Sequence, residues 1–308
     1  MSPRSSFHPS TFQPFLLSTL PLHFTAQLLH RTTPNTLPNS TITPLSHLVG
    51  YQNKAVAKDG WNLMASTFLP VGGNGEAAKL GDIKVSNWNF WDGNDYVQFV
   101  DDGGGTASFD YEGETLASLW TYVTPDDTED CPKAGWYHFD KAYNDGVFIS
   151  GDELPLEFGC GAIFTTEDRA TAIVSSGEVA KGKQTIYIKK AGWNVIGNPT
   201  PISAKFTDIA VDNWNFWDGS DFIQFLDDGG GTATFDYEGE TLMALFTYVT
   251  PDDTSDCPKA GWYQFDKAYN ETVFIPIEEC GYPGLDAGEG VIVLTGSTET
   301  GIQFPAAL

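Results

Sequence analysis

Short apolar runs separated by turn residues dominate the chain from position 49 onward. One run, Tyr96-Val97-Gln98-Phe99-Val100, follows an Asp-Gly turn signal and is ended by the aspartates and glycines of 101–105. β-Branched and aromatic residues favour strands, and glycine supplies the backbone angles of tight turns. Further strands are predicted at 106–111, 119–123, 136–139, 147–149, 161–164, 173–179 and 185–188. Only 113–120 is compatible with one short helix, so the pattern predicts an all-β protein of antiparallel sandwich or barrel-like type.

The strand pattern occurs twice. Residues 82–149 recur at 208–275 without a gap, and 54 of the 68 positions are identical. The likeness extends outward, because Gly60-Trp61-Asn62 recurs as Gly192-Trp193-Asn194. We therefore predict two tandem duplicated modules, 49–181 (module 1) and 182–308 (module 2), each long enough to bury its own core. Two copies are too few for a closed propeller or a long solenoid, and a short connection is expected at 180–183.

The first 48 residues differ in composition from both modules. They contain no Asp, Glu or Lys and carry four of the five histidines, and their apolar stretch at 15–29 is interrupted by Pro21. A signal or transit segment is one interpretation. A disordered leader or a misassigned start is the other, and we leave 1–48 out of the fold argument.

Charge narrows the classes of partner. The formal net charge is −25, and every acidic residue follows position 58. Such a surface repels phosphate backbones and anionic lipid, which argues against nucleic-acid binding. No apolar run reaches the roughly 18 residues of a membrane-spanning helix. The oligomeric state is left open by the sequence.

The duplication also tests catalytic candidates. His138 is the only histidine in either module, and its counterpart is Gln264. Arg169 is the only arginine in either module. A histidine base or metal ligand shared by both copies is therefore excluded, as is a shared guanidinium clamp.

Acidic residues allow three interpretations. Pairs such as Asp101-Asp102 could serve a glycosidase, which uses two carboxylates. They could also be solvated turn residues, and this is the interpretation that we favour. Calcium is the third reading, because it prefers hard oxygen ligands on short loops. No cofactor is required, and the candidate calcium ligands are Asp126, Asp127 and Asp130, with Asp252, Asp253 and Asp256 as their counterparts.

Aromatic side chains are the strongest binding candidates. In an extended Trp88-Asn89-Phe90-Trp91 segment, Trp88 and Phe90 face one side and Trp91 faces the other. An exposed ring beside an acidic residue suits a sugar, which stacks through its apolar face and hydrogen-bonds through its hydroxyls. The candidate ligand-binding residues are Trp91 and Asp92, repeated as Trp217 and Asp218. The alternative is that all these rings are structural.

Each module has two cysteines and no CxxC spacing. Bridges Cys131–Cys160 and Cys257–Cys280 are predicted, which would fit an extracytoplasmic compartment.

Three motifs resemble those of uncharacterised tandem β-modules in bacterial secreted or surface-exposed proteins. They are Gly60-Trp61-Asn62-Leu63, the segment 192–199 (Gly-Trp-Asn-Val-Ile-Gly-Asn-Pro) and the late Gly-x-Gly-Val-Ile run at 288–292. The resemblance covers both modules but not 1–48. It implies export to the cell surface or beyond, and it brings no catalytic residues.

Together these features predict a non-enzymatic exported protein with a surface, structural or adhesion role. Binding of a polysaccharide or surface glycan through the duplicated aromatic platforms is the specific expectation. The alternative is a secreted glycan-active hydrolase that uses paired carboxylates.

Overall fold

The computed structural model describes residues 48–56, 59–71, 77–89, 95–111, 113–127, 133–138, 149–167, 171–216, 221–253, 259–265, 275–282 and 284–307. Within these ranges the regular elements are β-strands and short 3₁₀ turns, which confirms the predicted all-β class. The 3₁₀ turns are Leu80–Asp82, Pro125–Asp127, Phe206–Asp208, Pro251–Asp253 and Ile277–Glu279. The described residues form no helix long and apolar enough to cross a membrane.

The strands of module 1 are β1 (Val49–Ala55), β2 (Gly60–Ala65), β3 (Ala78–Lys79), β4 (Lys84–Ser86), β5 (Tyr96–Gln98), β6 (Ser108–Tyr111), β7 (Glu114–Ala117), β8 (Leu119–Val123), β9 (Gly135–His138), β10 (Ile149–Ser150), β11 (Pro155–Leu156), β12 (Gly161–Thr166) and β13 (Ala172–Glu178). Those of module 2 are β14 (Gln184–Tyr187), β15 (Gly192–Gly197), β16 (Ala204–Lys205), β17 (Ala210–Asp212), β18 (Phe222–Gln224), β19 (Thr234–Tyr237), β20 (Glu240–Met243), β21 (Leu245–Val249), β22 (Gly261–Gln264), β23 (Ile275–Pro276), β24 (Gly284–Leu285), β25 (Gly290–Thr295) and β26 (Gly301–Phe304).

The two modules have the same sheet topology. Module 1 contains a six-stranded sheet in the order β10-β9-β8-β5-β12-β2 and a three-stranded sheet in the order β1-β13-β4. Module 2 repeats them as β23-β22-β21-β18-β25-β15 and β14-β26-β17. All of these pairings are antiparallel. The duplicated antiparallel modules that the sequence predicts are therefore present. The sheets are arranged in a ring that resembles a four-bladed β-propeller. The expectation that two copies are too few for a closed propeller is therefore wrong, because each copy supplies two of the larger sheets.

Each core lies between the two sheets of its own module. In module 1, Val85 and Ile173 of the three-stranded sheet belong to one buried cluster with Val97 and Trp136 of the six-stranded sheet. Trp136 is fully buried, and its indole N–H donates a 2.8 Å hydrogen bond to the carbonyl oxygen of Ile83. A large ring thus loses its water contacts without leaving its one donor unsatisfied. Trp262 makes the same bond to Ile209 in module 2.

The short helix expected at 113–120 is wrong. This segment instead forms strand β7, which pairs with β6, and the start of β8. The hairpin turn explains the outcome, because Gly113 has a φ of +89° that ends any helical path. In module 2 the corresponding turn residues, Glu238 and Gly239, have φ values of +50° and +90°, which is the type I′ pattern. Pairing with a neighbouring strand outweighs the local spacing of apolar residues here.

The modules contact each other through a repeated pair of segments, which we call the clasp. It consists of Gly60-Trp61 against Asp228–Gly230 and of Gly192-Trp193 against Asp102–Gly104. The backbone N–H of Trp61 donates to the carbonyl oxygen of Asp228 at 3.1 Å, and that of Trp193 donates to Asp102 at 3.2 Å. A Cβ atom on Gly230 would lie 2.8 Å from the Trp61 ring, and one on Gly104 would lie 3.3 Å from the Trp193 ring. The Gly-Trp-Asn motif of each module therefore holds the glycine turn of the other.

A second pair of contacts has the same two-fold character. The N–H of Ala65 donates to the carbonyl oxygen of Gly288, and the N–H of Gly197 donates to that of Gly159, both at 3.0 Å. The chain between the modules is also packed, since Val179 and Ala180 are buried. The contacts relate the two modules as the subunits of an isologous dimer are related.

Candidate functional site

One loop in each module is anchored by a buried aspartate. The Asp95 carboxylate accepts hydrogen bonds from the backbone N–H of Asn89 at 2.7 Å and from that of Glu167 at 3.1 Å. Burial raises the pKa of the Asp95 carboxyl, while these two backbone donors act to lower it. The equivalent bonds in module 2 join Asp221 to the N–H groups of Asn215 and Gly296, both at 2.8 Å. The same two hydrogen bonds to a buried aspartate therefore occur at equivalent positions in both copies.

The first tryptophan of the aromatic segment belongs to this anchor. The Trp88 indole N–H donates to the Thr121 hydroxyl at 3.0 Å, and that hydroxyl donates to the carbonyl oxygen of Asp95 at 3.0 Å. The same two bonds link Trp214, Thr247 and Asp221 at 2.9 Å each. Trp88 and Trp214 are thus core residues, as one face of the predicted segment requires.

The aromatic segment alternates between core and solvent. Trp214 is 5% exposed and Phe216 is 2% exposed, whereas Asn215 between them is exposed. In module 1 the same alternation is seen for buried Trp88 and exposed Asn89. An extended backbone turns successive side chains to opposite sides, which accounts for this pattern without regular strand pairing.

An open groove adjoins the anchored loop in module 1, and we call it the loop-end groove. Its volume is about 830 Å³. Amide and carboxyl groups supply most of its polar lining, and Trp88 and Pro125 supply apolar surface; the polar residues include Asn87, Asn89, Asp126 and Glu167. Asn87 has a φ of +54°, as does its counterpart Asn213, and asparagine tolerates this left-handed conformation better than most residues. The groove thus combines hydrogen-bonding groups with the largely buried Trp88 in its lining.

The four predicted ligand-binding residues, Trp91, Asp92, Trp217 and Asp218, lie outside the described residues. The last described positions before them are 89 in module 1 and 216 in module 2. Their role in ligand binding stays a prediction.

The predicted calcium ligands are only partly described. Asp126 and Asp252 are exposed, in the equivalent 3₁₀ turns Pro125–Asp127 and Pro251–Asp253 that also contain Asp127 and Asp253. Asp130 and Asp256 lie outside the described residues. Within the described part of the chain, no three His, Cys, Asp or Glu residues form a group that could hold a metal ion. Calcium binding stays a prediction.

The Asp101-Asp102 pair has structural roles. The Asp101 carboxylate accepts hydrogen bonds from the backbone N–H groups of Gly103 at 2.8 Å and Gly105 at 2.9 Å, which shapes the glycine turn. Asp227 does the same for Gly229 and Gly231. Asp102 then contributes its carbonyl oxygen to the clasp. These contacts are the ones expected if the acidic pair consists of turn residues.

His138 and Gln264 perform one structural task with different side chains. His138 is fully buried, and its Nε2–H donates to the carbonyl oxygen of Ala117 at 2.7 Å. Gln264 donates from Nε2 to the carbonyl oxygen of Met243, the equivalent position, at 3.2 Å. Because a carbonyl can only accept, His138 must carry its proton on Nε2 for this bond.

No disulfide joins Cys160 or Cys280 to another described residue. Their predicted partners, Cys131 and Cys257, lie outside the described residues, so both bridges stay predictions. The Cys280 thiol donates to the carbonyl oxygen of Pro276 at 3.3 Å. Burial raises the pKa of the Cys280 thiol to about 11. The Cys160 thiol is at an exposed residue, and partial desolvation together with the neighbouring Glu157 carboxylate raises its pKa to about 11.

Comparisons of this chain with protein-family models, with curated proteins and with solved structures found no match. Sequence reasoning missed the anchoring role of Asp95 and Asp221, although both copies carry this aspartate six residues after the segment asparagine. That identical spacing was the available signal.

Proposed function

We propose that this protein is a non-enzymatic exported protein that attaches to a polysaccharide or surface glycan through the anchored loops of its two modules. Trp91 and Trp217 are the proposed stacking platforms. Asp92 and Asp218 are the proposed acceptors of hydrogen bonds from sugar hydroxyls. An adhesion or surface-structural role follows from this binding.

The alternation of the aromatic segment is the observation that carries the proposal. Trp214 and Phe216 are buried and Asn215 is exposed. The proposal extends this alternation by one residue, to Trp217, and by equivalence to Trp91. Both faces of the segment carry large rings, and the core side is already occupied by Trp214 and Phe216.

The loop-end groove supports the same reading. Asn87 and Asn89 offer amides and Asp126 and Glu167 offer carboxyl groups beside the anchored loop. A sugar needs an apolar surface for its ring and several hydrogen-bonding groups for its hydroxyls. The groove would supply the hydrogen-bonding groups, and Trp91 would supply the apolar surface.

Two equivalent loops on one chain would act together on a polymer. Once one loop is bound, the second meets its site at a high effective concentration, so weak single sites could still retain the protein. Calcium, if bound by the Asp126 and Asp252 turns, would relieve repulsion among neighbouring carboxylates at the same ends of the modules.

A glycan array probed with the intact chain, with calcium and with a chelator, tests the proposal. We expect binding to a limited set of polymeric glycans. Each hit is then incubated with the protein and analysed for released fragments, and we expect none. Absence of any glycan signal would refute the binding proposal, and shortened products would favour the alternative of a glycan-active hydrolase.

A further inference from the structure

Module 1 contains an apolar cavity that is distinct from the loop-end groove. Its volume is about 190 Å³, and it lies between the two sheets near the contact with module 2. Met64, Leu80, Val97, Ala162, Phe164 and Ile173 form its apolar wall. Gln52, Lys54, Glu157 and Cys160 contribute polar groups to the lining.

Module 2 fills the equivalent space with larger side chains. Strand register gives the correspondence, because Ser175 lies opposite Gln52 in module 1 and Phe304 lies opposite the equivalent Gln184 in module 2. Ser175 lines the cavity, whereas Phe304 is 1% exposed and belongs to the core of module 2. A serine therefore stands where the duplicate packs a phenyl ring.

Two further lining positions differ in the same direction. Leu80 and Phe206 both begin the first 3₁₀ turn of their module, and Phe206 packs against Phe225, Phe246 and Trp262. Ala162 lies opposite Met64, and its counterpart Val291 lies opposite Ile196. One lining position differs in the opposite direction, because Phe164 of module 1 is larger than its counterpart Val293. Tyr282 adds one more ring to the filled core of module 2.

The size of the cavity points to a ligand class. A buried apolar cavity of about 150 Å³ stays dry and takes up benzene or xenon. An empty cavity is also destabilising, because its lining atoms lack contact partners on one side. A chain that packs this space well in one copy and leaves it open in the other has a site that a small apolar molecule can fill.

The charges near the cavity favour a neutral ligand. Lys54 donates to the carbonyl oxygen of Ala287 at 3.2 Å, and Glu289 and Asp286 lie close enough to act on its pKa. Its positive charge is therefore already offset by module 2. An anionic ligand would also meet Glu157 in the lining, and an ion in the apolar interior would have no partner.

We propose that module 1 binds a neutral, largely apolar small molecule, of the size of benzyl alcohol, in the cavity beside Ser175. This binding is independent of the glycan proposal, because its residues lie between the sheets and include none of the loop residues.

The chain carries its own reporter for this site. It has three methionines, of which Met64 lines the cavity and Met243 is exposed on module 2. The intact chain, labelled with ¹³C at the methionine methyl groups, is titrated with benzyl alcohol and separately with benzoate. We expect a saturable shift of the Met64 methyl signal with benzyl alcohol and no saturable shift at Met243. Benzoate should bind at least tenfold more weakly.

A variant that copies module 2 should close the site. Ser175→Phe is expected to weaken benzyl alcohol binding at least tenfold. Ser176→Phe is the matched control, because residue 176 is the exposed neighbour on the same strand, and it should leave the Met64 response unchanged. Ala162→Val is a smaller change of the same kind and should weaken benzyl alcohol binding severalfold. It provides the test if Ser175→Phe does not fold.

A wild-type Met64 signal that never saturates would overturn the proposal. An equal response in folded Ser175→Phe would do so too. Benzoate binding as tightly as benzyl alcohol would overturn the neutral-ligand class.

Discussion

The backbone N–H of Trp193 donates to the carbonyl oxygen of Asp102, and the equivalent bond joins Trp61 to Asp228. Each Gly-Trp-Asn motif therefore contacts the neighbouring module as well as pairing within the six-stranded sheet of its own. The motif that carries the resemblance to secreted β-modules is explained by an intermodule contact, in which glycine allows close approach and tryptophan covers the opposite glycine turn.

The clasp predicts a large effect of one methyl group at Gly192. Its φ is +96°, and a Cβ would lie 2.4 Å from the carbonyl oxygen of Asp102. Gly113 is the matched control, because its φ is +89° and a Cβ there meets nothing within 4 Å. Gly113→Ala should lose about 1 kcal/mol of unfolding free energy from strain alone. Gly192→Ala should lose about 2 kcal/mol more from overpacking, measured by urea unfolding. Equal losses would mean that the Asp102 contact has no energetic weight.

The two-fold character of the clasp predicts self-association of a single module. Residues 49–181 alone retain both Trp61 and the Asp102 turn, so two copies can form the contacts that the full chain forms internally. Sedimentation equilibrium should show a dimer whose population rises with concentration. Gly60→Val should abolish it, because a side chain there would strike the aspartate carbonyl. A strictly monomeric, folded module would contradict the interpretation.

The shared role of His138 and Gln264 predicts which substitutions are tolerated. His138→Gln keeps a donor for the carbonyl of Ala117 and copies the duplicate, so unfolding free energy should change by less than about 1 kcal/mol. His138→Leu leaves that part-buried carbonyl without this donor and should lose about 1–3 kcal/mol. Thermal unfolding of both variants is the measurement. Similar losses in the two would show that ring packing, and not the hydrogen bond, matters at this position.

The raised thiol pKa of Cys280 predicts slow alkylation. Cys280 is 7% exposed, and burial raises the pKa of its thiol to about 11. In reduced, folded protein at pH 9, iodoacetamide should modify Cys280 roughly 50-fold more slowly than in urea, since only the thiolate reacts. Because the folded state holds this proton more tightly, its contribution to stability is complete below pH 9 and is lost as the pH rises towards 11. Equal alkylation rates in folded and unfolded protein would show an accessible thiolate.

Strand positions were largely predictable from the sequence. The run 119–123 is strand β8 at the predicted bounds, and the predicted runs 136–139 and 147–149 overlap the paired strands β9 and β10. The run 106–111 was only partly right, because Val100 and Thr106 form an isolated bridge and β6 then pairs with β7. Apolar spacing at 113–120 imitates a helix, and the pairing that corrects it is set by the turn at Gly113.

The intermodule contacts could not be predicted in the same way. The clasp joins Trp61 to Asp228 and Trp193 to Asp102, which are distant in sequence and belong to different copies. The cavity could not be predicted because the alignment offset between the copies changes along the chain. Strand register is what shows that Ser175 corresponds to Phe304. The anchored loops were predictable in part. Alternation along an extended segment places Trp88 and Trp91 on opposite faces, and Trp88 is buried as a residue on the core face should be.

Retention of the protein on an immobilised polysaccharide tests the central claim most directly. The polymer is a hit from the glycan array, and the variants are Trp91→Ala, Trp217→Ala and the double substitution, with the exposed Tyr187→Ala as the control. We predict partial loss of retention in each single variant and near-complete loss in the double variant, because two weak sites act together. Melting temperatures should barely change. Unchanged retention in the double variant, or a loss of about 3–5 kcal/mol of stability per tryptophan as for buried rings, would contradict the claim.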